Sequence, residues 1–302
     1  MSTKERDAKI DTLIASFLVY NKEFEDQVFR PRFKQRLGVT DAWAIEKSSR
    51  VLDIGCGQGE SALTIALELG PAGHVTAIDT SPPDYGTPHT VEQSHAYISK
   101  SPLGSMIDFR LTSASSFLNT TTTPKFDAAT LCHSAWYFPT PDALAALFPT
   151  LASAAIPTIY IAEYNLQSVS MPSQIPHQVA ALAQAMYHRY VAAVSELLPL
   201  NIRVAPNIDT ITEAAGAAGY HVARSGIITP DLDYHEGKFE TEYVAGDRFT
   251  ARVKEKSLPV EQEAEILARA ADTKRAVDDL ARNGGGPLRS MDVWWAEFRR
   301  KM

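Results

Sequence analysis

The sequence predicts an α/β fold: a doubly wound sheet of seven strands with helices on both faces. Three observations predict it. The apolar run ending at Ile54 leads into glycines at 55, 57 and 59, and the next apolar run closes on Asp79. That order reads as a strand, a tight turn, a helix and a second strand ending in an acid. Strand-length apolar runs then alternate with helix-length amphipathic stretches, the pattern that builds a parallel sheet. Finally, 302 residues at 45% hydrophobic and 22% charged can bury one sizeable core with added elements.

The first stretch, to residue 47, reads as helical. Ile10, Leu13, Ile14, Phe17 and Leu18 form one stripe, and a second piece from Tyr20-Asn21 to Leu37-Gly38 is interrupted by Pro31. Arg30, Arg32, Lys34 and Arg36 make it either a solvated helix face or a local basic patch. Strand one spans 50–54, its helix 60–69 and strand two 74–79, with Gly70-Pro71-Ala72-Gly73 stopping the helix. The loop from Ser81 to Pro88 holds three prolines and is stiff. A helix over 90–100, a strand over 107–111 and a strand over 126–131 follow. Thr140-Pro141-Asp142 opens the next helix in capping order, with Leu144, Leu147, Phe148 and Leu151 as its buried face. The fifth strand, 157–162, ends at Glu163-Tyr164-Asn165. An insertion at about 165–206 carries an amphipathic helix from Val179 to Leu198, with Leu182, Met186, Tyr190 and Leu197 on one face. Its candidate pocket liners are Met171, His177, Met186 and Tyr187. A helix over 209–218 and a strand over 220–228 resume the sheet. A second insertion, about 232–287, holds a charged helix near 259–282. The last strand, 290–298, carries Trp294 and Trp295, one of which faces the covering helices.

Charge and cysteine usage narrow the partners. A formal net charge of −7 argues against a nucleic-acid substrate, which needs a basic face. No run of eighteen apolar residues spans a membrane, and Met1 to Asp7 lack the apolar stretch of a signal peptide. The expected location is cytoplasmic, with no membrane partner. Cys56 and Cys132 sit in or beside core strands and imply no disulfide framework.

The glycine spacing selects the ligand. A dinucleotide fingerprint needs a third glycine at position 60, where this chain has Glu60, a carboxylate that would repel a pyrophosphate at a helix N-terminus. A nucleoside without phosphates fits better. Asp53-Ile54-Gly55-Cys56-Gly57-Gln58-Gly59, with Asp79 twenty residues past Gly59, resembles the first two motifs of the class I S-adenosylmethionine-dependent methyltransferases. The resemblance is recognisable over about 48–165. It implies a Rossmann-like methyltransferase domain over 48–302, with residues 1–47 as a helical lid closing over the cofactor. It also implies S-adenosylmethionine as cofactor, S-adenosylhomocysteine as product, and cofactor contacts at Asp53, Gly55, Cys56, Gly57, Gln58, Gly59, Asp79, Thr80, Ser113, Ala114 and His133. Many family members carry an acid just after the third strand. This chain has Thr112-Ser113-Ala114-Ser115-Ser116 there, which puts Ser113 in doubt as an adenine contact.

The chemistry is expected beyond the carboxyl end of the fourth strand, in Cys132-His133-Ser134-Ala135-Trp136-Tyr137-Phe138-Pro139. No Asn/Asp-Pro-Pro-Tyr, no strand-end aspartate and no Pro-Cys pair occurs there, leaving a small-molecule acceptor in an aromatic-walled pocket. His133 is the candidate base, or else a positioning residue with no proton role. Trp136 and Tyr137 are the other catalytic candidates, able to hold a cation by ring attraction or simply to pack. Tyr20, Trp136, Tyr137, Glu163 and Tyr164 are the candidate substrate contacts. The expected function is methyl transfer to nitrogen, oxygen or sulfur of a small molecule, in specialised metabolism. The alternatives are a cofactor-binding regulatory or scaffold protein without transfer, and a nucleic-acid methyltransferase.

Overall fold

Near-continuous apolar runs buried on both faces give the inner strands, as a sheet covered by helices on each side requires. In the computed structural model, which describes residues 2–120, 124–192 and 202–301, these are β1 (Arg50–Ile54), β2 (His74–Asp79), β4 (Ala128–Cys132) and β5 (Thr158–Tyr164). The edge strand β3 (Ile107–Leu111) is more exposed. With β6 (Tyr220–Ile228) and β7 (Val293–Arg300), the seven-stranded order is β3-β2-β1-β4-β5-β7-β6. The first five strands are parallel, and β7 lies antiparallel between β5 and β6. The chain winds outward in opposite directions from β1 and β4. Their carboxyl ends therefore flank the switch point where such sheets bind ligands.

The helices are α1 (Thr3–Ser16), α2 (Lys22–Phe24), α3 (Arg30–Trp43), α4 (Glu60–Leu69), α5 (Val91–Ile98), α6 (Ala114–Leu118), α7 (Pro141–Ser153), α8 (Ile175–Ala192), α9 (Ile208–Ala217), α10 (Glu236–Ala245), α11 (Asp247–Glu255) and α12 (Val260–Arg282). Pro31 does not break the N-terminal helix. One π-helical segment, Glu25–Phe29, precedes it, and Pro31 sits in the first turn of α3, where no intrahelical N–H is needed. Phe33, Leu37 and Trp43 are fully buried, each worth ~1.5–3 kcal/mol. They anchor α3 more firmly than its partly exposed ion pairs, which contribute about 0–1 kcal/mol apiece.

One face of the sheet packs on α1, α3 and α4, and the other on α7 and α9. Leu144, Leu147, Phe148 and Leu151 are all buried there, as their spacing predicts. Trp294 packs with that second layer, while Trp295 points to the opposite face, beside the Arg224 guanidinium at 5.7 Å. The stripe expected on α8 is displaced. Leu182 is 42% exposed, whereas Ala180, Ala183, Gln184, Tyr187, His188 and Val191 are buried. The reason is tertiary: α8 is held between α10 and α12, so small residues face the close contacts. Leu197 lies outside the described residues. The two insertions thus share one helical layer. Among the described residues, no helix is long and apolar enough to cross a membrane.

Neither reading of the basic cluster survives. Arg30 pairs with Asp11 and Glu25, Arg32 with Glu60 and Glu236, and Lys34 with Asp231 and Asp233. Arg30 ties α3 to α1, Arg32 ties it to the start of α4 and to the second insertion, and Lys34 ties it to the segment leading into α10.

Candidate active site

The three glycines of the turn after β1 serve different neighbours. Gly55, Gly57 and Gly59 have φ of +76°, +53° and +104°, left-handed values that favour glycine. A Cβ on Gly55 would lie 2.6 Å from the Ser134 Cβ, and one on Gly59 would lie 2.6 Å from Ile98 Cδ1. Both are dictated by packing. A Cβ on Gly57 meets no atom within 4 Å, so this backbone faces open space.

Asp79, at the tip of β2, bounds that space. Its Oδ2 accepts the Gly57 N–H at 2.7 Å and its Oδ1 accepts the Ser81 N–H at 2.7 Å, which fixes the carboxylate. The Gly57 carbonyl accepts from His95 Nε2 at 2.8 Å, and the His95 ring stacks on Phe109 at 3.9 Å. Burial lowers the His95 pKa, so the ring acts as a neutral donor. Gln58 Nε2 donates to the His89 carbonyl at 2.6 Å, pinning the proline-rich loop to the turn.

Asp53, expected as a cofactor contact, lies beneath the turn. It is fully buried, accepting hydroxyls from Ser61 at 2.6 Å and Thr130 at 2.8 Å, and burial pushes its pKa up to about 6. The carboxylate braces β1, α4 and β4 from beneath the turn. Cys56 and Cys132 are buried free thiols, and burial pushes Cys132 up to about 12. Thr80 is exposed beside Asp79, and Ala114 is partly buried at the start of α6. The Ser113 hydroxyl caps α6, accepting the Ser116 N–H at 3.1 Å.

The rim beyond β4 and β5 gathers aromatic rings around Tyr164. Its ring lies 4.8 Å from His133, 5.1 Å from Trp136 and 4.9 Å from His177. Its hydroxyl meets that of Tyr234 at 3.0 Å. His133 has φ +53°, an unfavourable value for a residue with a side chain, of the kind that clusters at functional sites. Glu163 is buried, and its two oxygens accept the N–H groups of Trp136 at 3.2 Å and Tyr164 at 3.0 Å. It holds the rim in shape, with His133 Nδ1 3.6 Å away. Tyr137 is 40% exposed as a residue, but burial at its hydroxyl, aided by Glu240, Glu163 and Glu236, raises its pKa well above 10. Burial likewise raises Tyr164 and Tyr234. His177 Nδ1 accepts the Met291 N–H at 2.9 Å, and burial pulls its pKa down to about 3.

Among the described residues, the buried nitrogens without a hydrogen-bond partner include both of His133, Trp136 Nε1 and His177 Nε2 at this rim, and Nε and Nη1 of Arg36 on α3. Buried polar atoms are ordinarily satisfied, so these nitrogens are open to a partner such as a ligand or a water. Tyr20 lies apart from this cluster, 57% exposed, with its ring against Phe24 and His89. Phe29 is core, 4.9 Å from Phe17. A separate cleft of about 580 Å³, lined by charged residues including Arg6, Asp26, Arg30 and Asp233, lies on the outer side of α1 and α3.

Ser61, Thr130, His95, Tyr234 and Glu236 were not singled out by sequence. Thr130, inside an otherwise apolar strand, was the one available signal that a buried acid needs a partner. Tyr234 and Glu236 lie in the second insertion, whose sequence gives no sign that it folds back over the rim.

A glycine turn at the switch point, an acid-tipped second strand and this strand order define a methyltransferase fold. A family model described as a methyltransferase domain matches residues 45–85. The chain belongs to the class I S-adenosylmethionine-dependent methyltransferase family: it is 39% identical to methyltransferase phomM of Diaporthe leptostromiformis, across 96% of this chain and 89% of that one. Methyltransferase phomM′ of the same organism matches equally. A cyclopropane-fatty-acyl-phospholipid synthase-like protein from Lactobacillus casei shares the fold, with a TM-score of 0.79 at 24% identity over 99% of this chain and 100% of that one. So does a putative sarcosine dimethylglycine methyltransferase from Galdieria sulphuraria, with a TM-score of 0.50 at 12% identity over 98% of each.

Proposed function

We propose that this methyltransferase takes its methyl group from S-adenosylmethionine and delivers it to a nitrogen, oxygen or sulfur atom of a small-molecule acceptor, with S-adenosylhomocysteine as the other product. The observation that carries the reading is the open face of Gly57 beside the fixed Asp79 carboxylate, next to the unpartnered nitrogens of the rim.

The residues fit that donor. Each Asp79 oxygen keeps a lone pair for a ribose hydroxyl, and the turn from Gly55 to Gly59 forms the floor. Asp53 supports the turn from below. Because the Ser113 hydroxyl is used as a helix cap, contact with the adenine edge falls to the backbone of Ser113 and Ala114. Bound there, S-adenosylmethionine supplies an electrophilic methyl group on a sulfonium sulfur.

The chain's own task is to align the acceptor and, where needed, remove a proton. The rim groups differ in fitness for that second step. Tyr137, Tyr164 and Tyr234 are held protonated. His177 accepts from Met291 at Nδ1 and therefore presents Nε2–H as a donor. Each Glu163 oxygen accepts one backbone amide, which fixes the carboxylate 3.6 Å from His133 Nδ1. In this reading His133 is the base, with Glu163 orienting it and Trp136 and Tyr137 walling the acceptor. The lid role contracts to the segment around Tyr20 and Phe24, since α3 is anchored in the core.

Calorimetric titration of S-adenosylmethionine and S-adenosylhomocysteine tests the reading. Asp79→Ala removes two charge-assisted hydrogen bonds and should weaken binding at least about 100-fold. Wild-type protein that binds neither compound would refute it. Formation of S-adenosylhomocysteine in an acceptor screen then separates transfer from mere binding.

A further inference from the structure

The charges around the glycine turn are unevenly matched. Arg32 and Arg36 lie four residues apart on one face of α3, and Arg32 reaches Glu60 just past the turn. Arg32 is fully engaged: it donates to Glu236 at 2.6 and 3.1 Å and to Glu60 at 3.3 Å. Glu60, the first residue of α4, is thereby neutralised instead of facing the ligand as a free carboxylate. Among the described residues Arg36 has no such partner, and its Nε and Nη1 are buried without an acceptor. Burial opposes its charge, but Glu60, Cys132 and Tyr234 act on it and hold its pKa above the ordinary arginine range. A permanently charged guanidinium with buried, unsatisfied N–H groups is costly unless an anion completes it.

The neighbours of Arg36 locate the missing anion. Glu60 follows the turn, Cys132 ends β4 and Asp53 lies on β1, all of them close enough for their charges to couple to Arg36. This is the β1–β4 side of the cleft, whereas Asp79 marks the ribose side at β2. The amino-acid tail of a nucleoside held at Asp79 extends toward β1 and β4 and ends in a carboxylate. We propose that Arg36 is the cofactor's carboxylate anchor, binding the amino-acid end of S-adenosylmethionine through its free guanidinium edge. The assignment rests on the reading of the cleft as an S-adenosylmethionine site. It also gives α3 a function: the helix brings one paired arginine to silence Glu60 and one unpaired arginine to meet the ligand.

The test compares S-adenosylhomocysteine with 5′-methylthioadenosine, which has the nucleoside and thioether but no amino-acid tail. Both are titrated calorimetrically into wild type, Arg36→Met and Arg36→Lys, and thermal melts are recorded without ligand. Arg36→Met should weaken S-adenosylhomocysteine about 10- to 100-fold, the range for a charged hydrogen-bonded pair, and leave 5′-methylthioadenosine within about twofold. Arg36→Lys should recover part of the loss, because an ammonium keeps the charge but not the two-pronged geometry. The melting temperature of Arg36→Met should not fall, since an uncompensated buried cation is removed. Equal weakening of both ligands, or a melt lowered by several degrees, would show a structural role and overturn the assignment. Unchanged S-adenosylhomocysteine binding would overturn it too. Wild-type protein that binds neither ligand would instead sink the underlying cofactor reading, an outcome visible before any variant is made.

Discussion

Substituting alanine at Gly57 and at Gly55 separates a glycine kept for a ligand from one kept for packing. Both have left-handed φ, +53° and +76°, so alanine at either pays about 1–2 kcal/mol in backbone conformation. At Gly57 the added methyl meets nothing within 4 Å, and no further cost to the unbound protein arises. At Gly55 the methyl lies 2.6 Å from the Ser134 Cβ, whose hydroxyl is tied to the Ile54 carbonyl at 2.8 Å and cannot readily retreat. That overlap adds about 1–3 kcal/mol. With an unfolding entropy of ~2 cal/mol/K per residue, Gly57→Ala should lower the melting temperature by about 2–3 °C and Gly55→Ala by about 3–8 °C. Binding should discriminate more sharply. The Gly57 methyl enters the proposed cradle, so S-adenosylhomocysteine affinity should drop about tenfold or more despite the milder melt. Circular dichroism melts and calorimetry on the same samples suffice. Wild-type affinity in Gly57→Ala would refute the cradle, and a Gly57→Ala melt as low as that of Gly55→Ala would refute the packing argument.

Two further variants probe charge. Burial pushes Asp53 from 3.8 up to about 6, so the folded state binds this proton more tightly than the unfolded chain does. Its contribution to stability is full below about pH 4 and lost as pH rises through 6, on the order of 3 kcal/mol. His177, pulled from 6.5 down to about 3, has the opposite sign: its contribution is present above pH 6.5 and lost as pH falls. Asp53→Asn leaves only the second effect, so its melting temperature should fall more steeply than wild type's between pH 6 and 4; parallel curves would contradict the burial argument. His133→Ala should cut turnover about 100- to 10,000-fold, chiefly in kcat, while S-adenosylhomocysteine still binds. An unchanged kcat would assign the proton transfer to another group.

The sheet was legible because its signals are local. Strands at 50–54, 74–79 and 107–111 form at those positions: the first two are largely apolar and end at a glycine turn and an acid, and the third alternates apolar with charged residues as a half-exposed edge strand does. The same holds for the Thr140 cap and its helix. Periodicity failed on α8, where Leu182 is exposed and the alanines are buried: two helices from a distant insertion set its buried face. Spacing failed likewise on the cluster Arg30, Arg32, Lys34 and Arg36. The partners of Arg32 and Lys34, namely Glu60, Asp231, Asp233 and Glu236, are 28 to 204 residues away in the chain.

By itself the sequence determined the fold class, the glycine turn with Asp79, and a rim containing His133, Trp136, Tyr137, Glu163 and Tyr164. Those features are encoded in contiguous residues, through backbone conformation and burial. Only the tertiary structure decided which member of each group is left unengaged: Gly57, where an added Cβ meets nothing, rather than Gly55 or Gly59, and Arg36, with two unpartnered nitrogens, rather than Arg32. It also turned Asp53 and Glu163 inward as braces. Such choices rest on which polar atoms find partners across the fold, and partner satisfaction is a property of three-dimensional proximity that residue order does not record.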